Sequence, residues 1–112
     1  MSHYLVELYT PKPAWLALPA AQREQFLHGI RSAMVELSSL GVEVLTLGEA
    51  EPDIDNASEH RFLGIWRFPG LQSRDALLAG IQASGWYGYF DHVNAAGARA
   101  DLADHLSALT AA

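Results

Sequence analysis

Five titratable residues stand among apolar and aromatic neighbours: His3, Glu7, His60, Asp91 and His92. A histidine beside a carboxylate is a usable proton shuttle at neutral pH, because the acid fixes the ring tautomer and the imidazole titrates near 6.5. His92 is the strongest candidate acid or base, with Asp91 or Tyr89 as its helper. Tyr87 and Tyr89 flank it in Trp86-Tyr87-Gly88-Tyr89-Phe90-Asp91-His92 and could line a cavity with one polar tip each. Glu7 lies between Leu5 and Tyr9, so burial would raise its pKa unless a partner such as His60 or Arg67 stabilises it. Tyr9, Phe62 and Trp66 join Glu7, His60 and Tyr87 as candidate pocket residues. Each also has a plainer role in packing, in an ion pair or in a strand-edge hydrogen bond. Trp15, in a proline-bounded loop, either caps a cavity mouth or pins that loop to the body.

Other chemistries are poorly supplied. The chain holds no cysteine, which removes thiolate nucleophiles, disulfides and iron–sulfur ligation and fits a reducing compartment. Its five histidines form no His-x-His, no His-Glu-x-x-His and no helical i, i+4 pair, so no metal is expected. Asp53-Ile54-Asp55-Asn56 opens like a calcium loop, but Ser58 stands where such a loop needs glycine and Gly64 where it needs the bidentate glutamate. Asp101 and His105 are one helical turn apart, as a solvated pair would be. Nucleophile-elbow, phosphate-loop and dinucleotide signatures are absent, and no cofactor is expected. With 13 acidic and 7 scattered basic residues the net charge is −6, which disfavours nucleic acid and anionic membrane as partners. The first residues carry no basic segment leading into an apolar run, and no stretch reaches 18 apolar residues, so a cytoplasmic protein is expected.

The elements that would position these groups follow from periodicity. His3 to Tyr9 alternates as a strand and ends at Thr10-Pro11-Lys12-Pro13. From Pro19 to Gly41, Phe26, Ile30, Ala33, Met34 and Leu37 recur at helical spacing. Val42 to Leu47 predicts a second strand, an acidic loop covers about 49–59, and His60 to Phe68 predicts a third strand stopped by Pro69-Gly70. Leu71 to Ser84 predicts a helix with Leu77, Leu78 and Ile81 inward. Trp86 to His92 predicts a fourth strand, and Arg99 to Leu109 a terminal helix. Arg23 to Ile30 matches Arg74 to Ile81 at an offset of 51, and His3 to Tyr9 lies over His60 to Trp66 at an offset of 57. Two βαβ units in tandem make a ferredoxin-like βαββαβ sandwich, an α+β fold with both helices on one face of an antiparallel-type sheet. Its first and third strands are expected to be central neighbours, running parallel. Gly29 and Gly80, paired in the repeat, each cost a helix about 1 kcal/mol relative to alanine, and close helix packing would explain them.

A single domain of 112 residues can bury about two-thirds of its unfolded surface, yet 50% of these residues are hydrophobic and only 18% charged. Alternation gives each central strand two apolar faces. Tyr4, Val6 and Leu8 beside Leu63 and Ile65 form an aliphatic face, expected under the helices. Leu5, Glu7 and Tyr9 beside Phe62, Gly64, Trp66 and Phe68 form an aromatic face, expected to stay open and to pair with a second copy. The element order, the two-sided sheet and the stretch Trp86 to His92 together resemble the dimeric α+β barrel superfamily over about residues 3–94. That superfamily includes antibiotic-biosynthesis-type monooxygenases, EthD-like proteins and stress-responsive barrel domains. The resemblance implies a homodimer and a cofactor-independent monooxygenase, cyclase or isomerase, acting on an aromatic or polyketide-like molecule held between sheet and helices. It also allows a non-catalytic ligand-binding or stress-related homodimer and, as a lesser alternative, a haem protein.

Overall fold

The computed structural model describes residues 2–112. Its regular elements are β1 (His3–Pro11), α1 (Pro13–Leu16), α2 (Ala20–Ser38), β2 (Glu43–Glu49), β3 (Phe62–Phe68), α3 (Leu71–Ala83), α4 (Trp86–Tyr89), β4 (Phe90–Ala98) and α5 (Leu102–Ala111). The strands form one sheet in the order β2-β3-β1-β4. The expected βαββαβ sandwich is therefore present, with β1 and β3 at its centre. Their relative direction differs from expectation: β1 and β3 are antiparallel, with Glu7 opposite Gly64 and Leu5 opposite Trp66. The connections explain why. The α2 crossover returns the chain parallel to β1 in β2, and the turn into β3 reverses it, so β3 runs against both neighbours. By the same logic β4 runs antiparallel to β1, with Tyr9 opposite His92 and Glu7 opposite Asn94.

The two faces of the sheet are the reverse of those expected. Leu5, Trp66 and Phe68 lie under the helices and join Val42 and Leu77 in the buried core, with Met34, Leu37, Leu78 and Ile81 packed against them. Tyr4, Val6, Leu8, Leu63 and Ile65 occupy the opposite, uncovered face and are only half-buried. Volume decides between them. Helices standing about 10 Å from a sheet leave room that large rings fill better than short aliphatic chains do. Alternation alone distinguishes two faces without saying which is covered.

Helix α2 keeps most of the predicted stripe: Phe26, Ile30, Met34 and Leu37 are half-buried, Ala33 is exposed, and none of its residues is fully buried. It stands off the sheet. Two glycines with positive φ, Gly41 at 83° and Gly85 at 84°, turn the chain just beyond α2 and α3. After Gly85 the segment expected to begin the fourth strand forms the one-turn helix α4, and the strand starts only at Phe90. The loop before β3 is likewise longer than expected, so His60 precedes the strand. Trp15 pins the loop to the body: it is 8% exposed and packs edge-on or tilted against Phe26, Tyr89 and Phe90. The terminal helix α5 has no buried residue, and Leu102, Leu106 and Leu109 lie 72%, 51% and 58% exposed along it. A radius of gyration of 16.0 Å reflects this projecting arm, since a compact chain of this length would have about 13 Å.

Candidate active site

Alternation along β1 sends Glu7 to the helix side between Leu5 and Tyr9, where it is 4% exposed. A carboxylate there needs hydrogen bonds to replace water. Trp66, diagonal to it on β3, donates its indole N–H to Glu7 Oε1. The His92 ring, from β4, brings Nε2 to 3.2 Å from Glu7 Oε2. Asn94, directly opposite Glu7 in the β1–β4 register, places Oδ1 2.6 Å from the same ring nitrogen. Trp86 in α4 donates its indole N–H to His92 Nδ1 at 2.9 Å. An Nδ1 that accepts carries no proton, so the neutral ring bears its proton on Nε2, facing Glu7 and Asn94. The ring stacks on Tyr9 at 5.6 Å between centroids and meets Tyr87 edge-on at 5.2 Å.

These contacts set the ionisation of the group. Burial alone lowers the His92 pKa, but hydrogen bonds with Glu7 and Asn94 and the Glu7 charge outweigh it, and the net direction is upward from 6.5. Burial, then the charge of Glu7, also pushes the Tyr9 phenol above its ordinary value.

Glu7 is the one charged side chain on the wall of a chamber of about 210 Å³ between sheet and helices. Tyr9, Leu47 and Trp66 line it from the sheet, and Leu27, Ile30, Met34, Leu77, Ile81 and Trp86 from the helices. His92 lies behind Glu7, its side chain 1% exposed. A molecule in the chamber would meet the carboxylate, and the imidazole would act through it.

The sequence-derived candidates thus divide. Glu7, Tyr9, Trp66 and His92 converge, with Tyr87 packed on the His92 ring and Phe62 stacked on Tyr9 at 5.8 Å. Asp91 does not join them. It is exposed and, one residue before His92 on the strand, points to the other face. Tyr89 packs instead on Trp15 and Phe26. His60 sits at the sheet end, where its Nδ1 is 3.0 Å from Thr10 Oγ1. Arg67, once a possible partner of Glu7, pairs with Glu43 on the surface at 2.5 Å. Trp86 and Asn94 were not anticipated. Asn94 is at i+2 from His92 and so shares its face, but only the β1–β4 register sets it opposite Glu7.

A haem ligand needs a free imidazole nitrogen aimed into open space. Both nitrogens of His92 are engaged, and no histidine lines the chamber or the cleft outside it. The chamber therefore offers no imidazole to a haem iron.

Element order, sheet order and helix placement define a ferredoxin-like α+β protein. Over residues 2–112 the sequence matches DUF6616, a family of unknown function, and the chain belongs to that family. Comparison with curated proteins gives no match. Among solved structures the fold is similar to a mutant chlorite dismutase from Candidatus Nitrospira defluvii, with a TM-score of 0.70 and 11% identity over 89% of this chain. This chain spans only 40% of the length of that enzyme. A dimeric ferredoxin-like protein of unknown function from Thermobifida fusca gives a TM-score of 0.54 at 14% identity, covering 88% of this chain and 92% of that one. A hypothetical protein from Arabidopsis thaliana gives 0.55 at 13% identity, covering 89% of each. At these identities the likeness is one of fold.

Gly64 makes room for the carboxylate. A Cβ there would stand 2.9 Å from Leu47 Cδ2, 3.1 Å from Glu7 Oε1 and 3.2 Å from Trp66 Nε1. Leu47 can swing away, but Glu7 and Trp66 hold each other in place. Gly64→Ala should therefore destabilise the fold by about 1–3 kcal/mol, as overpacking does, with the midpoint of urea unfolding as the readout.

Proposed function

We propose that this protein takes an apolar, hydroxyl-bearing small molecule into the chamber between sheet and helices and transfers a proton there without a cofactor, as a cyclase or isomerase would. The buried Glu7 carboxylate on an otherwise apolar wall carries this reading. In the step envisaged, Glu7 accepts a proton from the substrate's hydroxyl, or from a carbon beside a carbonyl, and becomes a carboxylic acid. It returns the proton at a second substrate atom, so nothing is oxidised or reduced. Trp66 and His92 are positioning residues: they fix the orientation of the carboxylate from its two oxygens. The chamber is smaller than the roughly 300 Å³ common for drug-sized ligands, which suits a one- or two-ring head group.

A second reading, a ligand-binding homodimer without catalysis, is favoured by one observation. Among the described residues every buried side-chain nitrogen and oxygen already has a hydrogen-bond partner, so the network is complete without a substrate.

Both readings include a homodimer. Its interface would be the uncovered aliphatic face, Tyr4, Val6, Leu8, Leu63 and Ile65, continued on β4 by Val93, which is 51% exposed. A contiguous apolar face of this kind suits association with a second copy. The dimeric ferredoxin-like neighbour supports the same assembly.

Binding of 2-naphthol against 2-methylnaphthalene, followed by calorimetry, tests the role of Glu7. Wild type should prefer the hydroxyl compound at least about tenfold, the worth of a hydrogen bond to a charged acceptor, and Glu7→Leu should lose that preference. Equal affinities in wild type would contradict the proposal. In sedimentation at micromolar concentration the wild type should run at twice the 12.2 kDa chain mass, and Ile65→Asp should run as a monomer.

A further inference from the structure

Gly29 and Gly80 occupy equivalent places in the repeated helices α2 and α3, and mid-helix glycine weakens a helix relative to alanine. Close packing was the expected reason. The structure removes it: a Cβ on either glycine would meet nothing within 4 Å. Instead both glycines line a largely apolar cleft of about 380 Å³ between α2 and α3, with Phe26 and Leu37 among its walls. Ile30, Met34, Leu77 and Ile81 are walls of this cleft and of the inner chamber alike. No charged side chain lines the cleft, whereas the chamber carries Glu7.

We propose that the cleft framed by Gly29 and Gly80 receives the apolar tail of the ligand whose head reaches Glu7, so that the ligand class is a neutral or cationic amphiphile with a hydrogen-bond-donating head, such as an alkylphenol. This rests on the chamber being a ligand site. The absent side chains leave bare helix backbone on both sides of the cleft, which lets a linear chain pass between α2 and α3. The buried carboxylate selects the head: a donor can bond to its remaining lone pairs, and an anionic head is repelled, which excludes fatty acids bound head-inward. A lining that is mostly apolar, with Gln25 and Ser84 its polar members, suits a tail and gives little grip to a polar one.

The test compares p-cresol, 4-octylphenol and laurate on wild type, Gly29→Leu, Gly80→Leu and the double variant, by calorimetry. Leucine is the better helix former, so the variants should fold, and Gly29→Ala and Gly80→Ala should raise the melting temperature. On wild type, octylphenol should bind at least tenfold tighter than p-cresol, and laurate should bind more weakly than octylphenol by a similar factor. Leucine at either glycine should remove most of the octylphenol advantage and leave p-cresol affinity within about twofold. If p-cresol binds but the tail advantage survives the double variant, the tail cleft is overturned while the chamber stands. If p-cresol does not bind wild type, the chamber reading fails and this inference with it. A change in sedimentation of the double variant, with ligand affinities unaltered, would make the cleft a contact between protein chains and would also overturn the proposal.

Discussion

A carboxylate held away from water on the covered face of a sheet constrains everything around it. Glu7 is 4% exposed, and a charge so placed is tolerable only where each oxygen finds a donor. Trp66 supplies one, and the Nε2–H of His92, shared with Asn94 Oδ1 at 2.6 Å, lies 3.2 Å from the other. His92 in turn presents that nitrogen because Trp86 occupies Nδ1. Gly64 opposite Glu7 carries no side chain, which leaves space for the Trp66 indole to close on the carboxylate. Three strands and α4 thus converge on one oxygen pair, and the chamber inherits its single charge from it.

Much of the frame is legible in the sequence. The repeat of Arg23 to Ile30 in Arg74 to Ile81 gave the βαββαβ order, and the stripe Phe26, Ile30, Met34, Leu37 reappears as the half-buried side of α2. Glu7 opposite Gly64 was visible as the odd charge on an apolar strand face. What failed needed information from several elements at once. Two apolar faces on the central strands look alike to alternation, and only the volume under the helices assigns the aromatic one to the core. The direction of β3 depends on counting reversals through α2 and the β2–β3 turn. The pairing of His92 with Glu7, with Asp91 turned to the other face, depends on the β1–β4 register, which no local pattern encodes.

The surplus of apolar residues has more than one destination. Rings fill the space beneath the helices, aliphatic chains cover the outer face of the sheet, and α5 extends three leucines into solvent. Helix α2 buries none of its residues completely, and the standing-off that this reflects opens both the chamber and the cleft beside it. Glycines at 29 and 80 weaken their helices without relieving any clash, which ties their presence to the cleft itself.

The most direct test of the account is a nitrogen-15 NMR titration of the His92 ring in wild type and Glu7→Gln. If the Glu7 pair organises the site, neutral His92 will carry its proton on Nε2 and titrate above 6.5 in wild type, and in Glu7→Gln its pKa will fall as burial, the opposing effect, is left less opposed. A proton on Nδ1, or a pKa that Glu7→Gln does not move, would contradict it.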